Sequence, residues 1–571
     1  MTTSADVNLQ GTLTVNTGTP LPLERFYYWE RNHPNKICFT QPTVGGQVTN
    51  YTWGEVGNQV RRMALYLKSI GVADGTTVGI LSKNCAHWIM SDIAIWMAGG
   101  VSVPLYPTLG PESIQKILQH SHAKILFVGK LDGWEDMQPG IPSDVKCLSY
   151  PLSPPSTGYE AWNDVIADSP QMTENPTRSH DQLATIIYTS GTTGSPKGVM
   201  HSFASLAAGA SEASNVYGIT SFDRTLSYLP LSHVAERMCV EMIAIYQGVH
   251  VYFPESLDTF MTDLQRARPT IFFGVPRIWA QFQSGVFAKL PEKKLSRLLM
   301  VPGLSQIVKK KIKEQLGLSD ARFCLSGAAP IPNSLLEWYA KLGLEILEVY
   351  GMTENMGYSH STRAGRSRVG YVGQPNPGVE VKLGEGGEVL VKSPTTMSGY
   401  YKDPDRSAET LDQDGFIHTG DVGQIEADGS LKITGRMKEM FKTSKGKYVT
   451  PSPIEGKMLA SSHIEQICVV GAGMPQPMAL LMLCDSDRES LAAGESRENI
   501  HKDIEGILRS VNKTLDPHER LRSAIVVKDT WTVENGFMTP TLKMRRNVLE
   551  NHYQDNFESW FDAKIEVQWE Q

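Results

Sequence analysis

The amino-terminal half of the chain alternates between stretches with a helical period of apolar residues and short runs of β-branched and aliphatic residues. Apolar side chains recur at helical spacing over residues 53–69, and a short apolar run follows at Thr77–Leu81. The same order returns with a helix predicted over residues 110–120, where Pro111 suits the first helical turn, and with a strand at Ile125–Val128. Repeated strand and helix order predicts layered α/β structure with parallel sheets.

The most apolar stretch of the chain runs from Trp88 to Tyr106 and is interrupted by Asp92, a pair of glycines and Pro104. These interruptions leave it too broken for the ~20 residues that a membrane-spanning helix needs. We therefore interpret it as a buried helix followed by a strand. Residues 131–178 are rich in proline, serine, aspartate and glycine, which predicts an excursion over the surface.

The pattern of apolar and polar residues changes from about Gly378. Before that point, a helix is predicted over residues 203–217 and strands over residues 224–230, 271–276 and 323–327. After it, short strands separated by glycine-rich turns predominate, as in the antiparallel hairpin predicted over residues 379–391. A mixed α/β segment then runs to the end of the chain.

These changes predict two domains. The first is a large N-terminal domain of stacked, mostly parallel sheets at residues 1–435, which includes a β-rich subdomain at about 370–435. The second is a small α+β C-terminal domain at residues 436–571, which begins with a run dense in lysine.

Composition and charge narrow the class of protein. The 571 residues carry a net charge of −7, which gives no electrostatic case for nucleic acid as the main partner, so any anion site must be local. The seven cysteines form no C-x-x-C pair, as expected of reduced thiols in a cytoplasmic protein. The polar amino terminus lacks the pattern of a secretory signal.

A glycine- and hydroxyl-rich run at residues 189–198 carries the first candidate chemistry. Small glycines let backbone N–H groups close on an anion, hydroxyls donate hydrogen bonds, and a lysine adds positive charge. The run therefore predicts a polyphosphate loop, with a flexible surface turn as the alternative. It is not a Walker A loop, because Lys197 follows a proline and precedes a glycine. The candidate phosphate-binding residues are Thr189, Ser190, Gly191, Thr192, Thr193, Gly194 and Lys197.

Several further segments, in this order along the chain, resemble the adenylate-forming superfamily of acyl-CoA synthetases and luciferases. The resemblance covers most of the chain and is closest to long-chain fatty acyl-CoA synthetases, through Leu229–Arg237 and residues 275–279 (VPRIW). The segments are 188–198, 229–233 (LPLSH), 326–330 (SGAAP), 350–354 (YGMTE), 416–421 (FIHTGD), 435–438 (GRMK) and 539–543 (TPTLK).

This resemblance implies an acid–thiol ligase that forms an acyl-adenylate from a long-chain fatty acid and ATP, releases pyrophosphate, and passes the acyl group to coenzyme A. Holding a triphosphate beside a carboxylate requires cations and dipoles. Mg²⁺, a hard cation that prefers oxygen ligands, is implied on the phosphates with help from Thr189 and Glu354. Nucleotide contacts are implied for Gly327, Ala328, Ala329, Tyr350, Gly351 and Thr353, and ribose contacts for Asp421 and Arg436.

The resemblance also implies a division of labour between the two half reactions. Lys543 is implied as the adenylation lysine, and His233 as a residue that orients the acid without acting as a base, because a carboxylate nucleophile has no proton to lose. A mobile C-terminal domain would then rotate about a hinge at Lys438, so that Lys445 and Gly446 face the coenzyme A site. In isolation each of these residues would be an ordinary core or surface side chain.

Several alternatives stay open at this stage. A fatty acyl-AMP ligase would load a carrier protein instead of coenzyme A, and a ligase for a medium-chain or aryl acid would share the same motifs. A binding protein that has lost catalysis is disfavoured because the key lysines and carboxylates are present, and a phosphotransferase because the Walker pattern is absent.

An apolar tunnel is expected near residues 272–279. Peripheral membrane contact is compatible with a fatty acid substrate, although no surface signature for it is evident, and the sequence leaves the oligomeric state open.

Overall fold

The protein is described here from a computed structural model for residues 18–43, 45–190, 196–494, 496–539 and 543–570. Its strands, in chain order, are β1 (Ile37–Thr43), β2 (Gln47–Thr52), β3 (Thr77–Leu81), β4 (Val101–Leu105), β5 (Ile125–Val128), β6 (Lys146–Ser149), β7 (Glu160–Ala161), β8 (Leu183–Ser190), β9 (Pro196–Ser202), β10 (Arg224–Leu226), β11 (His250–Tyr252), β12 (Ile271–Gly274), β13 (Phe323–Ser326), β14 (Ile346–Tyr350), β15 (His360–Ser361), β16 (Gln374–Pro375), β17 (Glu380–Leu383), β18 (Glu388–Lys392), β19 (Gly399–Tyr400), β20 (Ile417–Ile425), β21 (Leu431–Arg436), β22 (Phe441–Lys442), β23 (Tyr448–Val449), β24 (Ile464–Val470), β25 (Met478–Leu483), β26 (Ala524–Val526) and β27 (Val567–Trp569).

The α-helices of the same residues are α1 (Pro22–Asn32), α2 (Trp53–Ser69), α3 (Ala86–Ala98), α4 (Pro111–Ser121), α5 (Trp134–Met137), α6 (Trp162–Asp168), α7 (Phe203–Tyr217), α8 (Val234–Glu236), α9 (Ile243–Gln247), α10 (Phe260–Ala267), α11 (Pro276–Lys289), α12 (Glu292–Met300), α13 (Leu304–Gln315), α14 (Asn333–Leu342), α15 (Pro404–Thr410), α16 (Pro451–Met458), α17 (Asp485–Ala492), α18 (Glu498–Asn512), α19 (Arg546–Tyr553) and α20 (Phe557–Asp562). A π-helix at Arg237–Met242 joins α8 to α9.

The largest sheet has the strand order β19-β9-β8-β4-β3-β5-β6-β7. Its centre, from β8 through β7, is parallel, while β9 and β19 are added antiparallel at one edge. Every residue of β3 and β4 is buried, as expected of parallel strands covered on both faces. The predicted α/β class with parallel sheets is therefore confirmed.

Further sheets surround this one. One has the order β12-β13-β14-β15-β16 and begins with parallel strands, a second has the order β10-β11-β1-β2, and a third is the antiparallel sheet β17-β18-β20-β21 that was predicted as a β-rich region. The chain ends in the sheet β24-β25-β26-β27 with the helices α16–α20, which we call the carboxyl-terminal unit.

The interpretation of Trp88–Tyr106 as a buried helix and a strand is correct. All residues of α3 are buried, and β4 follows directly after Gly99 ends the helix with φ of 102°. The helix over residues 53–69 is also present, and its first turn is closed by Thr52 and Glu55, which each accept a hydrogen bond from the other's backbone. In the part of the chain that is described, no helix has the length and apolarity to cross a bilayer.

Two predictions about the large sheets were wrong. Residues 131–178 are not a simple surface excursion, because β6 and β7 extend the central sheet and Trp134 and Trp162 are buried. These elements are too short to show a period in the sequence. The strand predicted over residues 224–230 ends at Leu226, because the segment beyond it is held by side-chain hydrogen bonds that serve the site described next.

Candidate active site

The predicted phosphate loop connects two antiparallel strands. Thr189 at the end of β8 lies opposite Lys197 at the start of β9, and Ser190 is paired with Pro196. The candidate residues Gly191, Thr192, Thr193 and Gly194 lie outside the described residues. The structure therefore places Thr189 and Lys197 side by side at the base of a hairpin.

Lys197 lies among other charged and aromatic side chains. Its Nζ is 5.8 Å from the centroid of the Tyr400 ring. Partial burial and the positive charge of Arg406 lower the pKa of the Lys197 ammonium, while the carboxylate of Glu354 raises it. A phosphate anion next to Lys197 would replace the solvation that the lysine has lost.

Glu354 lies in a single 3₁₀ turn, Thr353–Asn355, just after β14. Gly351 permits the tight entry into this turn, because a Cβ there would collide with the backbone of Gly357. The phenol of Tyr400 donates a hydrogen bond to Oε1 of Glu354 at 2.6 Å, and a ring nitrogen of His201 lies 2.7 Å from the carbonyl of Thr353. Both contacts fix the direction of the glutamate.

The donor set around Glu354 fits a hard cation that also binds phosphate oxygens. Mg²⁺ keeps several non-protein oxygen ligands and needs only one or two carboxylates when a substrate phosphate supplies the rest. Among the described residues, no cluster of three or more acidic, histidine or cysteine side chains suitable for a metal occurs. Tyr400 occupies only Oε1, which leaves Oε2 of Glu354 for such an ion.

Asp421 and Arg436 face each other on adjacent antiparallel strands, β20 and β21. Nε of Arg436 donates to Oδ1 of Asp421 at 2.7 Å, and the phenol of Tyr350 donates to Oδ2 at 2.7 Å. Each carboxylate oxygen keeps a lone pair for a further donor such as a ribose hydroxyl. The bond to Asp421 also fixes the position of the Tyr350 hydroxyl and so the direction of the side chain.

The segment Gly327 to Ala329 follows β13, which lies parallel to β14 and so runs beside Tyr350. Gly327 packs so closely on Val349 that a Cβ would meet its carbonyl oxygen at 2.9 Å. Ala328 adopts a positive φ of 66°, and both Ala328 and Ala329 are exposed. The backbone of this segment is therefore accessible next to the Tyr350 ring.

His233 lies at the amino terminus of α8, and its Nδ1 accepts a hydrogen bond from the backbone N–H of Ala235 at 3.1 Å. Burial, together with the positive charge of Lys543, lowers the pKa of His233 to about 3. The imidazole is therefore neutral near neutral pH, and because Nδ1 is an acceptor, Nε2 carries the proton. His233 can donate a hydrogen bond to an anion but is a poor base.

The segment that presents His233 is held by a buried polar network. Asn84 donates to the carbonyl of Leu229 at 2.6 Å and accepts from the N–H of Leu231 at 3.1 Å. Glu236 accepts from the hydroxyl of Ser227 at 2.8 Å and from Asn84 at 3.3 Å. Burial raises the pKa of Glu236 to about 8.

The π-helix after this segment contains the fully buried Arg237, which pairs with Asp92 and, at 3.1 Å, with Glu241. Burial raises the pKa of Asp92 by more than the positive charge of Arg237 lowers it, so the pKa of Asp92 is raised. Burial also raises the pKa of Glu241. One arginine between two carboxyls keeps this part of the core from carrying a bare charge.

Lys543 comes from the carboxyl-terminal unit and lies in the cleft beside the residues above. Desolvation in the cleft and repulsion from Arg436 lower the pKa of its ammonium, while Asp421 and Glu354 raise it. Lys543 nevertheless remains exposed to solvent. The structure thus brings Lys543 together with Glu354, Asp421, Arg436 and His233.

The other residues of the carboxyl-terminal part are placed differently. Lys438 is exposed and close enough to Lys197 to contribute to lowering its pKa. Lys445 and Gly446 lie at the exposed tip of the β22–β23 hairpin, where Gly446 has a φ of 74°. Lys445 and Gly446 take part in none of the site contacts described here.

Three groups at the site carried no local signal in the sequence. Tyr400 reaches Glu354 only because β19 pairs with β9, about two hundred residues earlier in the chain. His201 lies on the same strand as Lys197 but looks like an ordinary strand histidine. In the sequence, Glu236 resembles an ordinary glutamate in the first turn of a helix, and its burial distinguishes it from one.

An apolar cavity lies next to the site. It is bounded by Val349, which precedes Tyr350, by Tyr358, which follows the Glu354 turn, and by Met238 of the π-helix after His233. Further wall residues are Ala213 and Tyr217 of α7 and Ile243 of α9. Three of these wall residues are therefore close in sequence to Tyr350, Glu354 and His233. The tunnel expected near residues 272–279 does not coincide with this cavity, because its lining includes the preceding Ile271 but none of residues 272–279, and Phe272 and Trp279 are buried in a separate core cluster.

Comparison with known protein families gives a match over most of the chain. A model described as AMP-binding enzyme matches residues 26–401, and a model described as AMP-binding enzyme C-terminal domain matches residues 439–564.

Curated relatives match over nearly the whole chain. The peroxisomal long chain acyl-CoA synthetase 6 of Arabidopsis thaliana is 31% identical over 91% of this chain and 83% of its own length. A long-chain-fatty-acid–CoA ligase of Mycobacterium tuberculosis is 29% identical over 94% of this chain and 96% of its own. Long-chain-fatty-acid–CoA ligase 1 of Homo sapiens is 29% identical over 88% of this chain and 80% of its own.

Solved structures share the fold. The anthranilate CoA ligase AuaEII in complex with anthranoyl-AMP superposes with a TM-score of 0.78 at 23% identity and covers 95% of this chain and 98% of its own. A benzoate CoA ligase from Burkholderia xenovorans superposes with a TM-score of 0.72 at 21% identity and covers 93% and 99%.

The Glu236 network predicts a pH dependence of stability. Because the pKa of Glu236 is about 8 in the folded protein and about 4.3 in an unfolded chain, the folded state holds a proton that the unfolded state has released at intermediate pH. The free energy of unfolding should therefore fall as pH rises from about 5 to about 8. This slope reflects the difference in the number of bound protons between the folded and unfolded states, and it can be measured by urea unfolding at a series of pH values. In Glu236→Gln that difference should be smaller by up to about one proton.

The matched control for this prediction is Glu498→Gln, at an exposed position at the start of α18. It should keep the slope of the unchanged protein. If Glu236→Gln kept that slope too, Glu236 would not be held protonated in the folded state.

Proposed function

Because the chain belongs to the AMP-binding, adenylate-forming enzyme family, we propose that it is a long-chain fatty acid–CoA ligase. It would join the acid to AMP, release pyrophosphate, and transfer the acyl group to coenzyme A. The observation that carries the proposal is the meeting of Lys543 with Glu354, Asp421 and Arg436 in one cleft next to an apolar cavity. The choice of a long-chain acid rests on the relatives, which are named long-chain acyl-CoA synthetases.

In the first half reaction, a carboxylate oxygen of the acid attacks the α-phosphorus of ATP, and the bond from that phosphorus to the bridging oxygen breaks as pyrophosphate leaves with its electron pair. The protein must offset negative charge on both the attacking and the leaving group. Lys197 stands where the leaving pyrophosphate would lie, and Lys543 where the acid and the α-phosphate meet. Mg²⁺ bound beside Glu354 and Thr189 would neutralise phosphate charge.

The remaining polar groups orient the two substrates. Tyr350, whose hydroxyl is held by Asp421, would offer a ring face to the adenine, and the backbone of Gly327 to Ala329 would lie at the edge of the base. Asp421 and Arg436 would bind the ribose hydroxyls. Neutral His233 would donate from Nε2 to the acid's carboxylate, holding it in line with the phosphorus without taking a proton.

In the second half reaction, the sulfur of coenzyme A attacks the acyl carbon, AMP leaves with its oxygen, and the thiol proton passes to solvent. Lys543 lies where the incoming thiol would need room, so the carboxyl-terminal domain at residues 436–571 would rotate about Lys438. Lys445 and Gly446, now at an exposed hairpin tip, would then face the thiol. An ion pair between Arg277 of α11 and Glu465 of β24 links the two parts in the present arrangement.

The apolar cavity would hold the acyl chain. Its walls include Gly357 and Tyr358, which follow the Glu354 turn, and Met238, which follows His233 in the chain, so the carboxylate of an acid inside it would face the phosphate site. Burial of each methylene group in such a cavity contributes about 0.8 kcal/mol. The length of chain accepted should therefore depend on wall residues such as Ala213.

Lys543→Ala should separate the two half reactions. Exchange of labelled pyrophosphate into ATP, driven by a long-chain acid and Mg²⁺, should fall on the order of 10²–10³-fold or more because the charge at the α-phosphate is lost. Reaction of supplied acyl-adenylate with coenzyme A should remain close to that of the unchanged enzyme.

The control for this experiment is Lys528→Ala, at an exposed lysine of the same carboxyl-terminal part. It should leave both half reactions intact. An equal loss in both half reactions for Lys543→Ala would refute the division of labour, and failure of the unchanged protein to exchange pyrophosphate with any acid would refute the proposed function.

Ala213→Phe should shorten the preferred acid. A larger side chain on this wall excludes part of the chain, and kcat/KM should drop by about 4-fold for each methylene displaced, while shorter acids keep their rates. The measurement is pyrophosphate exchange over a series of acids of increasing length. Asn215→Phe, on the exposed side of the same helix, should leave the series unchanged. A uniform loss for acids of every length would show that Ala213 does not line the acyl site.

A further inference from the structure

The helices α12 and α13 form a hairpin at the surface of the protein. Leu295 of α12 and Ile312 of α13 are buried in the cluster of apolar residues that also contains Trp279 and Phe282 of α11. One side of the hairpin is thus anchored to the core. The turn that joins the two helices, residues 301–303, is exposed and forms the far end of the hairpin.

The far end of the hairpin exposes an unusual amount of apolar surface. Met300, Val301, Leu304 and Ile307 lie within eight residues, and 76%, 47%, 38% and 65% of their surface is accessible, respectively. Other strongly exposed apolar residues, such as Phe222 and Leu257, stand singly. Leu304 and Ile307 are three residues apart on α13 and so share a face of that helix. We call these four residues the apolar tip.

Basic residues flank the apolar tip on both helices. Between residues 291 and 316 the chain has seven basic and only two acidic side chains, although the whole protein has a net charge of −7. The basic ones are Lys293, Lys294, Arg297, Lys309, Lys310, Lys311 and Lys313. The acidic ones are Glu292 and Glu314, and Glu314 lies 3.9 Å from Lys310 in an exposed pair.

The arrangement of the two kinds of residue follows the helical period. On α12, Arg297 lies one helical turn before Met300 in the chain, and Lys293 lies one turn before Arg297. On α13, Lys310 and Lys311 lie one turn after Ile307. On each helix, therefore, cations lie one to two helical turns, about 5 to 11 Å, from the apolar tip.

This arrangement suits the boundary of a lipid bilayer. Apolar side chains enter the region between headgroups and acyl chains to a depth of about 5–10 Å, and long cationic side chains reach phosphate groups at the level above. A nucleic acid would use the lysines but would leave the apolar tip in water. The charge of the hairpin is complementary to anionic headgroups in particular.

We propose that the α12–α13 hairpin docks the protein on the surface of a bilayer that contains anionic lipids, with the apolar tip inserted and the flanking lysines and arginine bound to headgroup phosphates. The docking itself does not depend on the proposed ligase activity. If the acid is long-chain, however, docking places the enzyme where such an acid partitions.

Sedimentation with vesicles tests the proposal with the full chain. Vesicles of phosphatidylcholine mixed with phosphatidylserine should bind the protein, vesicles of phosphatidylcholine alone should bind it much less, and added salt should weaken the binding to the former. The triple variant Lys309→Gln, Lys310→Gln, Lys311→Gln should bind the mixed vesicles on the order of 100-fold more weakly, since each lysine contributes about 5-fold. Ile307→Asp with Met300→Asp should also lose binding.

The control variant is Phe222→Asp with Leu257→Asp, which removes two exposed apolar residues outside the hairpin and should bind as the unchanged protein does. Thermal unfolding checks that all variants are folded, and activity on a short, water-soluble acid should be unchanged in the hairpin variants. Failure of the unchanged protein to bind mixed vesicles would overturn the proposal.

Full binding by the hairpin variants, or equal loss in the control, would also overturn it. So would a change in oligomeric state, by light scattering, that accompanies the hairpin variants without vesicles, because it would show that the apolar tip is covered by a second copy. Since vesicle binding and pyrophosphate exchange are measured separately, either proposal can fail alone.

Discussion

The cations that, in our proposal, bind a triphosphate repel one another in the free protein, and this repulsion shapes the site. Lys197 and Lys543 both have lowered pKa values, first because they are desolvated and then because Arg406 lies near the one and Arg436 near the other. Two carboxylates, Glu354 and Asp421, stand between these cations and offset part of the cost. The negative charge of a bound polyanion would offset the rest.

The carboxylates can serve in this way because distant parts of the chain fix them. Tyr350 and Arg436 each hold one oxygen of Asp421, and Tyr400 holds one oxygen of Glu354. These contacts need three sheets to assemble correctly. Lys543 alone is brought by the carboxyl-terminal unit, where the ion pair between Arg277 and Glu465 links it to the rest. In our proposal, rotation of this unit would withdraw the charge that activates the acid.

The sequence predicted those parts of this arrangement that depend only on residues close to one another along the chain. The order of strands and helices, the buried helix α3 and the motifs around Lys197, Glu354, Asp421 and Lys543 could each be read within about ten residues. The contacts of Tyr400, His201 and Glu236 could not, since they depend on strand pairing or burial across the chain. Short elements such as β6 and β7 show no period, and β7 spans only two residues. The apolar tip was missed because α12 and α13 are amphipathic, and only the buried Leu295 and Ile312 show which apolar residues remain uncovered.

The central claim is that this cleft joins a fatty acid to the α-phosphate of ATP before coenzyme A takes part. The most direct measurement is a single-turnover reaction of the purified protein with ATP labelled at the α-phosphate, a long-chain fatty acid and Mg²⁺, stopped with acid and separated by chromatography. The account predicts labelled acyl-adenylate in an amount matching the enzyme, which disappears as AMP and acyl-CoA form when coenzyme A is added. Labelled ADP as the first product, or no acyl-adenylate until coenzyme A is present, would contradict it.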